Sequence, residues 1–167
     1  RNPQNYIWAM GLRNPFGLEM VDGRLFVADN GPSVDRFLEI SKGANYLWDG
    51  GDASIGTNAD YLISPGHGVA QLAYYSGARA SLPSEFDESF FMTITGDPQS
   101  PVPGVPALQV VPYDLTESKV ASVPAQFLGY RGPGLQVVAG VDFGPDGVYF
   151  SAMFPNEDGM TAIFKVR

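Results

Sequence analysis

Three short acidic turns, each followed at once by a run of β-branched and aromatic residues, constrain the fold of this chain more than any other feature. The turns are Asp22-Gly23, Asp87-Glu88 and Asp146-Gly147, which begin 65 and 59 residues apart (22 to 87 and 87 to 146). Glycine accepts positive φ without steric cost, so an Asp-Gly step suits a tight turn between two strands. The runs that follow lie at 24–28, 89–94 and 148–152. This spacing predicts a repeated β unit.

Further strand candidates lie close to these runs. One follows each run, at 37–40, 108–113 and 162–166, and the first and third units share an upstream run at 17–20 and 140–143. Repeated four-stranded units are typical of propeller blades. The sequence therefore predicts an all-β fold: a β-propeller segment of about three four-stranded blades, half of a six-bladed propeller. The blades are predicted at roughly 1–60, 61–115 and 116–167.

The rest of the pattern agrees with a β architecture. No segment of about 12 residues or more has a helical period. The stretches 96–106 and 130–134 are rich in Gly and Pro and are predicted to be loops. A closed propeller needs about four blades or more. We therefore expect a missing half of the propeller, or a second copy of the chain, to complete it. The chain begins Arg1-Asn2-Pro3 without Met, which predicts a processed protein or a piece of a larger one.

Composition excludes some classes of function. The net charge is −8 and the 10 Lys and Arg residues are scattered, which argues against a nucleic-acid partner, because phosphate binding needs clustered basic residues. No run of about 18 apolar residues is present, so no membrane span is predicted. The chain has no cysteine, so it carries no sign of its redox compartment.

The first candidate binding residues are Arg13 and Asn14, which precede Pro15. Proline restricts the residue before it to extended geometry and so stiffens the turn. An arginine fork can bind a carboxylate through two hydrogen bonds, and asparagine supplies a donor and an acceptor. The alternative is a structural turn in which Arg13 forms a surface ion pair.

The second candidate is Asn30-Gly31-Pro32 with Asp35 close behind. Calcium prefers several hard oxygen ligands, which the carbonyls of a Gly-Pro loop and a nearby carboxylate can supply. The alternative is an ordinary β-turn with an exposed aspartate.

Residues 11–50 resemble the soluble quinoprotein glucose dehydrogenase and glucose/sorbosone dehydrogenase family. Its propellers carry a G-x-R-N-P-x-G-L turn, here residues 11–18, and a later Gly-Pro loop, here Gly31-Pro32. The resemblance implies oxidation of a sugar substrate with pyrroloquinoline quinone (PQQ) and calcium, in a periplasmic or extracellular protein. The family's catalytic base is a histidine on an earlier blade, so no catalytic residue is expected in this segment. The implied cofactor residues are Arg13, Asn14 and Tyr61, and the implied metal residues are Asn30, Gly31, Pro32 and Asp35.

Two other segments are given structural roles. Residues 42–48 resemble the family's G-G-N-Y-G-W, and Tyr46 and Trp48 are predicted to pack beneath the loop. His67 is the only histidine and is flanked by Gly66 and Gly68. A metal site would need partners such as a second His or a Cys. His67 is therefore interpreted as an ordinary loop histidine.

The chain also departs from the resembled family at three expected cations. Val137 and Ala139 stand where two arginines are expected, and a lysine is missing near Thr95-Gly96. Leaving buried carboxylates without partners costs several kcal/mol each, so these differences bear directly on quinone binding. Two hypotheses follow: part of a quinoprotein aldose dehydrogenase, or a non-catalytic propeller module that binds carbohydrate or protein.

Overall fold

The computed structural model describes residues 6–56, 58–78, 82–95, 106–129, 137–153 and 159–167. Within these residues the chain is built almost wholly from antiparallel strands, with one short helix, α1 (Asp52–Ile55). The strands are β1 (Pro15–Val21), β2 (Arg24–Asp29), β3 (Asp35–Ile40), β4 (Tyr61–Ile63), β5 (Val69–Tyr75), β6 (Ser89–Ile94), β7 (Pro106–Asp114), β8 (Lys119–Val120), β9 (Ala125–Gly129), β10 (Val138–Gly144), β11 (Gly147–Ala152) and β12 (Ile163–Val166).

The strands form three sheets in chain order. The first sheet has the order β1-β2-β3-β4, the second β5-β6-β7-β8 with β9 also paired to β7, and the third β10-β11-β12. The turn between β1 and β2 has φ of 49° at Asp22 and 78° at Gly23, and Val21 pairs with Arg24 across it. Two positive φ values match the right-handed twist of a two-residue hairpin.

The sheets stack face to face, and two hydrophobic clusters fill the spaces between them. Between the first and second sheets, Phe26 and Phe37 meet Phe90 and Tyr113, with ring centroids 4.5–5.6 Å apart. The second cluster lies between the second and third sheets, where Phe91 and Phe143 stand 4.9 Å apart. The first strand of the second sheet, β5, contacts β1 on one side and β10 on the other. These three strands therefore form the inner edge of the stack.

Each inner strand carries a register shift near its start. The shifts lie between Pro15 and Gly17 in β1, between Val69 and Leu72 in β5, and between Val138 and Gly140 in β10. Such β-bulges bend a strand and increase its local twist. At the first one the backbones are very close, since a Cβ on Gly17 would lie 2.2 Å from the carbonyl oxygen of Ala70.

An ion pair within the first sheet also bonds to the second sheet and its following turn, at the end opposite these bulges. Arg24 donates to both carboxylate oxygens of Glu39, at 2.8 and 2.5 Å, and also to the carbonyl of Leu115. The Tyr113 hydroxyl donates to Glu39 at 3.2 Å. The Arg24 guanidinium lowers the pKa of the Glu39 carboxyl, and burial raises the pKa of Tyr113 above its ordinary range.

The all-β prediction is confirmed, and the predicted strands are present within a residue or two of their bounds. The first sheet has the four strands expected of a blade, whereas the third has three within the described residues. One prediction is wrong at its edge, because Pro106 begins β7 and is not loop. The remainder of the predicted loops, 96–105 and 130–134, lies outside the described residues. No helix in the described parts of the chain is long and apolar enough to cross a membrane.

Candidate functional site

A buried carboxylate fixes the Arg13-Asn14 turn. Asp29, at the end of β2, has no solvent-exposed surface. Its Oδ1 accepts the backbone N–H groups of Arg13 at 3.0 Å and Asn14 at 2.7 Å. The backbone N–H of Asn30 in turn donates to the carbonyl of Asn14 at 3.1 Å. The turn before β1 is thus tied to the turn after β2 by main-chain atoms.

The counter-ion of Asp29 is Arg36, which is also completely buried. Its Nε and Nη2 both lie 2.9 Å from Oδ2 of Asp29. The remaining donors bond to the carbonyls of Gly11 at 2.9 Å, Tyr46 at 2.9 Å and Asn58 at 3.2 Å. A buried charge is tolerated when it is paired and hydrogen-bonded in this way.

Sequence reasoning missed this pair, although a signal for it existed. Asp29 ends an apolar run and Arg36 directly precedes Phe37-Leu38, so both charges lie beside strand residues that must be buried. Two opposite charges on neighbouring strands with apolar flanks indicate an internal ion pair. The pair holds the loops in place through main-chain groups: Asp29 accepts hydrogen bonds from the turn before β1, and Arg36 donates to three loop carbonyls.

Arg13 is half-buried and is held by Asn30. Its Nη1 donates to the carbonyl oxygen of Asn30 at 2.9 Å and to Oδ1 of the same residue at 3.3 Å. Asn30 also reaches the second sheet, since its Nδ2 lies 3.4 Å from the carbonyl oxygen of Val69. The expected alternative, a surface ion pair, is absent: among the described residues Arg13 forms none. The Nε and Nη2 groups of Arg13 donate to no described residue, so they are available to a further acceptor.

The Asn30-Gly31-Pro32 turn is tightly packed on one side. A Cβ on Gly31 would lie 1.8 Å from the carbonyl oxygen of Val34 and 2.5 Å from Cδ1 of Ile55, so only glycine fits. No described residue donates a hydrogen bond to the carbonyl oxygens of Gly31 or Pro32. These two oxygens are the chemically suitable calcium ligands of the turn.

Asp35 is buried and faces inward, toward main-chain donors. Its Oδ1 accepts the N–H of Gly31 at 2.9 Å, and its Oδ2 accepts those of His67 at 2.7 Å and Gly68 at 2.9 Å. Burial raises the pKa of this carboxyl, an effect that the three hydrogen bonds oppose. Asp35 therefore joins the Gly-Pro turn to the 66–68 loop.

His67 takes part in this arrangement through its backbone. Its N–H donates to Asp35, while the carbonyl of the neighbouring Gly68 accepts both the N–H and the Oγ1 hydroxyl of Thr95, at 2.7 and 2.8 Å. The described contacts of the loop are thus consistent with the interpretation of His67 as a loop histidine.

The remaining candidates lie apart from this end of the first sheet. Tyr61 is in β4, opposite Phe37, and packs against the first hydrophobic cluster. Two strands, β2 and β3, separate it from β1 in the sheet, so the structure does not bring it to Arg13. Tyr46 packs, as predicted, against a further cluster of buried residues, Val27, Leu38 and Ile40, and its hydroxyl donates to the carbonyl of Glu39 at 2.9 Å. The Nε1 of Trp48 is buried without a partner within the described residues.

The positions of the expected cations are occupied by groups that cannot replace them. Val137 is buried in the described structure, and the Ala139 carbonyl lies 3.5 Å from the Oγ1 of Thr93. Thr95 bonds to Gly68. An arginine such as Arg13 is chemically suited to one carboxylate of a quinone, whereas the three further cations expected at or near positions 137, 139 and 95 are not present there. For calcium, the fit rests on the two main-chain oxygens, since no group of three or more His, Cys, Asp or Glu side chains within the described residues could hold a metal.

Comparison with known proteins decides the fold. No protein-family model matches the chain, and no curated protein matches it. Among solved structures, a Thermus thermophilus protein provisionally described as an oxidoreductase (glucose dehydrogenase) aligns over 95% of this chain with a TM-score of 0.66 and 20% sequence identity. The chain has a β-propeller fold. It spans 46% of the length of that structure, so this propeller segment corresponds to about half of it.

Proposed function

We propose that the propeller segment forms part of a sugar-oxidising enzyme and that its Arg13 end binds an anionic cofactor. The observation that carries this proposal is the Arg13 guanidinium, which Asn30 orients and which lacks an ion-pair partner among the described residues. Charge-assisted hydrogen bonds from arginine are suited to planar carboxylates. The resemblance of residues 11–50 to quinoprotein sugar dehydrogenases, and the likeness of the fold to a protein described as a glucose dehydrogenase, support the same chemistry.

PQQ is the proposed cofactor, and calcium the proposed metal. When bound, the quinone would accept a hydride from the sugar, and calcium would polarise it as a Lewis acid. Arg13 would bind one carboxylate, and the amide of Asn14 lies on the same turn. The free carbonyls of Gly31 and Pro32 would contribute to calcium binding, while Asp35 would keep their turn in place. The base that takes the sugar proton is expected outside this segment. We further propose an exported protein, in keeping with the resembled family.

Titration of the protein with PQQ, with and without calcium, tests this function. We expect saturable, calcium-dependent changes in absorbance. Removal of one charge-assisted contact, worth about 1.5–3 kcal/mol, should weaken binding about 10- to 150-fold in Arg13→Ala. Arg167→Ala is the matched control, because Arg167 is an exposed arginine at the far end of the chain. Binding that is unchanged in Arg13→Ala would count against the proposal.

A non-catalytic propeller module is the second candidate. Val137 and Ala139 favour it, because a site that lacks these cations would leave quinone carboxylates unpaired. Propellers host many functions, so the fold alone does not distinguish an enzyme from a binding module. This candidate predicts no quinone binding at high micromolar concentration together with calorimetrically detectable binding of a carbohydrate or protein ligand. Calcium-dependent quinone binding with aldose-dependent dye reduction would eliminate it.

A further inference from the structure

Asn30 and Gly31 form the only Asn-Gly step in the sequence. In such a step the main-chain nitrogen of the glycine can attack the side-chain carbonyl carbon of the asparagine, because glycine has no Cβ to shield that nitrogen. Asparagine is one of the heat-labile residues of proteins. The step lies in the turn after β2, where Asn30 bonds to Arg13. A reactive step thus stands beside the proposed anion-binding residue.

The reaction at this step needs no reactant other than water. A bond forms between the Gly31 nitrogen and Cγ of Asn30, and the bond from Cγ to Nδ2 breaks. Ammonia leaves with the proton that the Gly31 nitrogen loses, and a cyclic succinimide remains. Water then opens the ring at either carbonyl, which yields aspartate or isoaspartate. Asn30 and Gly31 are half-buried and the following Pro32 is exposed, so water has access to the turn.

The folded turn restrains each group that this reaction must move. The Gly31 N–H donates to Oδ1 of the buried Asp35 at 2.9 Å. The Asn30 side chain is held at both of its ends, since Oδ1 accepts from Nη1 of Arg13 at 3.3 Å and Nδ2 lies 3.4 Å from the carbonyl oxygen of Val69. Ring closure requires this side chain to rotate and the hydrogen bond to Asp35 to break. It therefore requires local opening of the turn.

We propose that Asn30 is a site of spontaneous deamidation, which the folded turn slows and which weakens anion binding at Arg13 once it has occurred. The aspartate product places a carboxylate where Oδ1 of the asparagine accepts from Arg13, so the guanidinium acquires an internal counter-ion. An anionic ligand then has to compete with that carboxylate. This effect on binding rests on the proposed function, whereas the modification itself does not.

The isoaspartate product changes the backbone instead. It carries an additional methylene in the main chain between positions 30 and 31. The turn has no room for this group, since even a Cβ on Gly31 would lie 1.8 Å from the carbonyl oxygen of Val34 and 2.5 Å from Cδ1 of Ile55. We therefore expect isoaspartate to displace the turn, including the carbonyls of Gly31 and Pro32 that are proposed as calcium ligands.

Peptide mapping by mass spectrometry, after ageing at mildly alkaline pH, measures the conversion of Asn30. We expect conversion in the folded protein to be slower than in urea-unfolded protein. Asp35→Asn should speed conversion in the folded protein about tenfold or more, because hydrogen bonds to a charged group shift a local equilibrium by such a factor. Arg13→Ala, which frees Oδ1 of Asn30, gives a second test should Asp35→Asn fail to fold.

Val110→Ala is the control for global unfolding. It removes buried methyl groups from the second sheet and so lowers stability without a change in the turn. We expect it to speed conversion of Asn30 much less than Asp35→Asn does. Equal rates in folded and unfolded wild-type protein, or equal acceleration in the Val110→Ala and Asp35→Asn proteins, would overturn the proposed restraint.

Ion exchange separates converted from unconverted protein, because the two differ by one negative charge. We expect the converted fraction to bind PQQ about tenfold or more weakly than the unconverted one, since its arginine is already paired. Asn30→Asp, which makes the aspartate product directly, should behave as the converted fraction does. Equal affinity of the two fractions would contradict the effect on binding. PQQ binding by neither fraction would reject the proposed function and that effect with it, while the peptide masses would still decide the modification.

Discussion

Replacement of Asp29 by asparagine tests whether the buried ion pair holds the candidate site together. The variant keeps the size of the side chain but leaves the Arg36 guanidinium without a counter-ion at 0% exposure. Removing one partner of a buried pair costs about 3–5 kcal/mol, since the remaining charge is left uncompensated. For a chain of this length each kcal/mol lowers the melting temperature by about 2–4 °C, so we expect a loss of about 6–20 °C.

Thermal unfolding followed by circular dichroism, at one fixed protein concentration, measures this change. Glu39→Gln is the matched control, because Glu39 and Arg24 are about a quarter exposed and such a pair is worth about 1 kcal/mol or less. A double-mutant cycle of Asp29→Asn with Arg36→Met should show strong coupling, so the double variant costs less than the two single losses together. The reasoning is refuted if Asp29→Asn lowers the melting temperature no more than Glu39→Gln does.

The other predictions concern acid stability, close packing and loop order. The pKa of the Glu39 carboxyl is lowered in the folded protein. Its ion pair therefore stabilises the folded protein above the unfolded pKa, and this stability is lost as the pH falls through the folded pKa. Between about pH 7 and 3 the melting temperature should consequently fall less steeply in Glu39→Gln than in the wild-type protein. Gly31→Ala should cost about 1–3 kcal/mol in urea unfolding, whereas Gly56→Ala, with only an ordinary contact at 3.8 Å, should be nearly neutral. Asp35→Asn should speed hydrogen exchange at the amides of His67 and Gly68, and unchanged exchange would contradict its role there.

Strands that follow a pair of turn-forming residues could be predicted from the sequence. The Asp22-Gly23 step located β1 and β2, because both residues take positive φ in the hairpin. Strand β5 was missed, since residues 69–75 follow no comparable turn. Strand β9 was missed because residues 125–129 are half-exposed and contain little apolar pattern.

The candidate site was predicted by residue type but not by contact. Arg13 and Asn30 were each identified, yet nothing in the sequence showed that they bond to each other across 17 positions. Asp35 was identified as an oxygen donor for a metal, whereas its oxygens accept three main-chain N–H groups. Such bonds depend on where loops from different strands meet, and local sequence does not contain that information.

In the turn before β1, the hydrogen bonds that fix the backbone do not involve the side chains that the turn offers to a ligand. Asp29 accepts hydrogen bonds from the main-chain N–H groups of residues 13 and 14. Every residue except proline has such an N–H group. The side chains at these positions can therefore be exchanged without loss of the bonds that set the backbone. Related chains could acquire or lose ligand specificity here by single substitutions, and an engineer could use Arg13 and Asn14 as graft positions on a scaffold that Arg36 and Asp29 keep rigid.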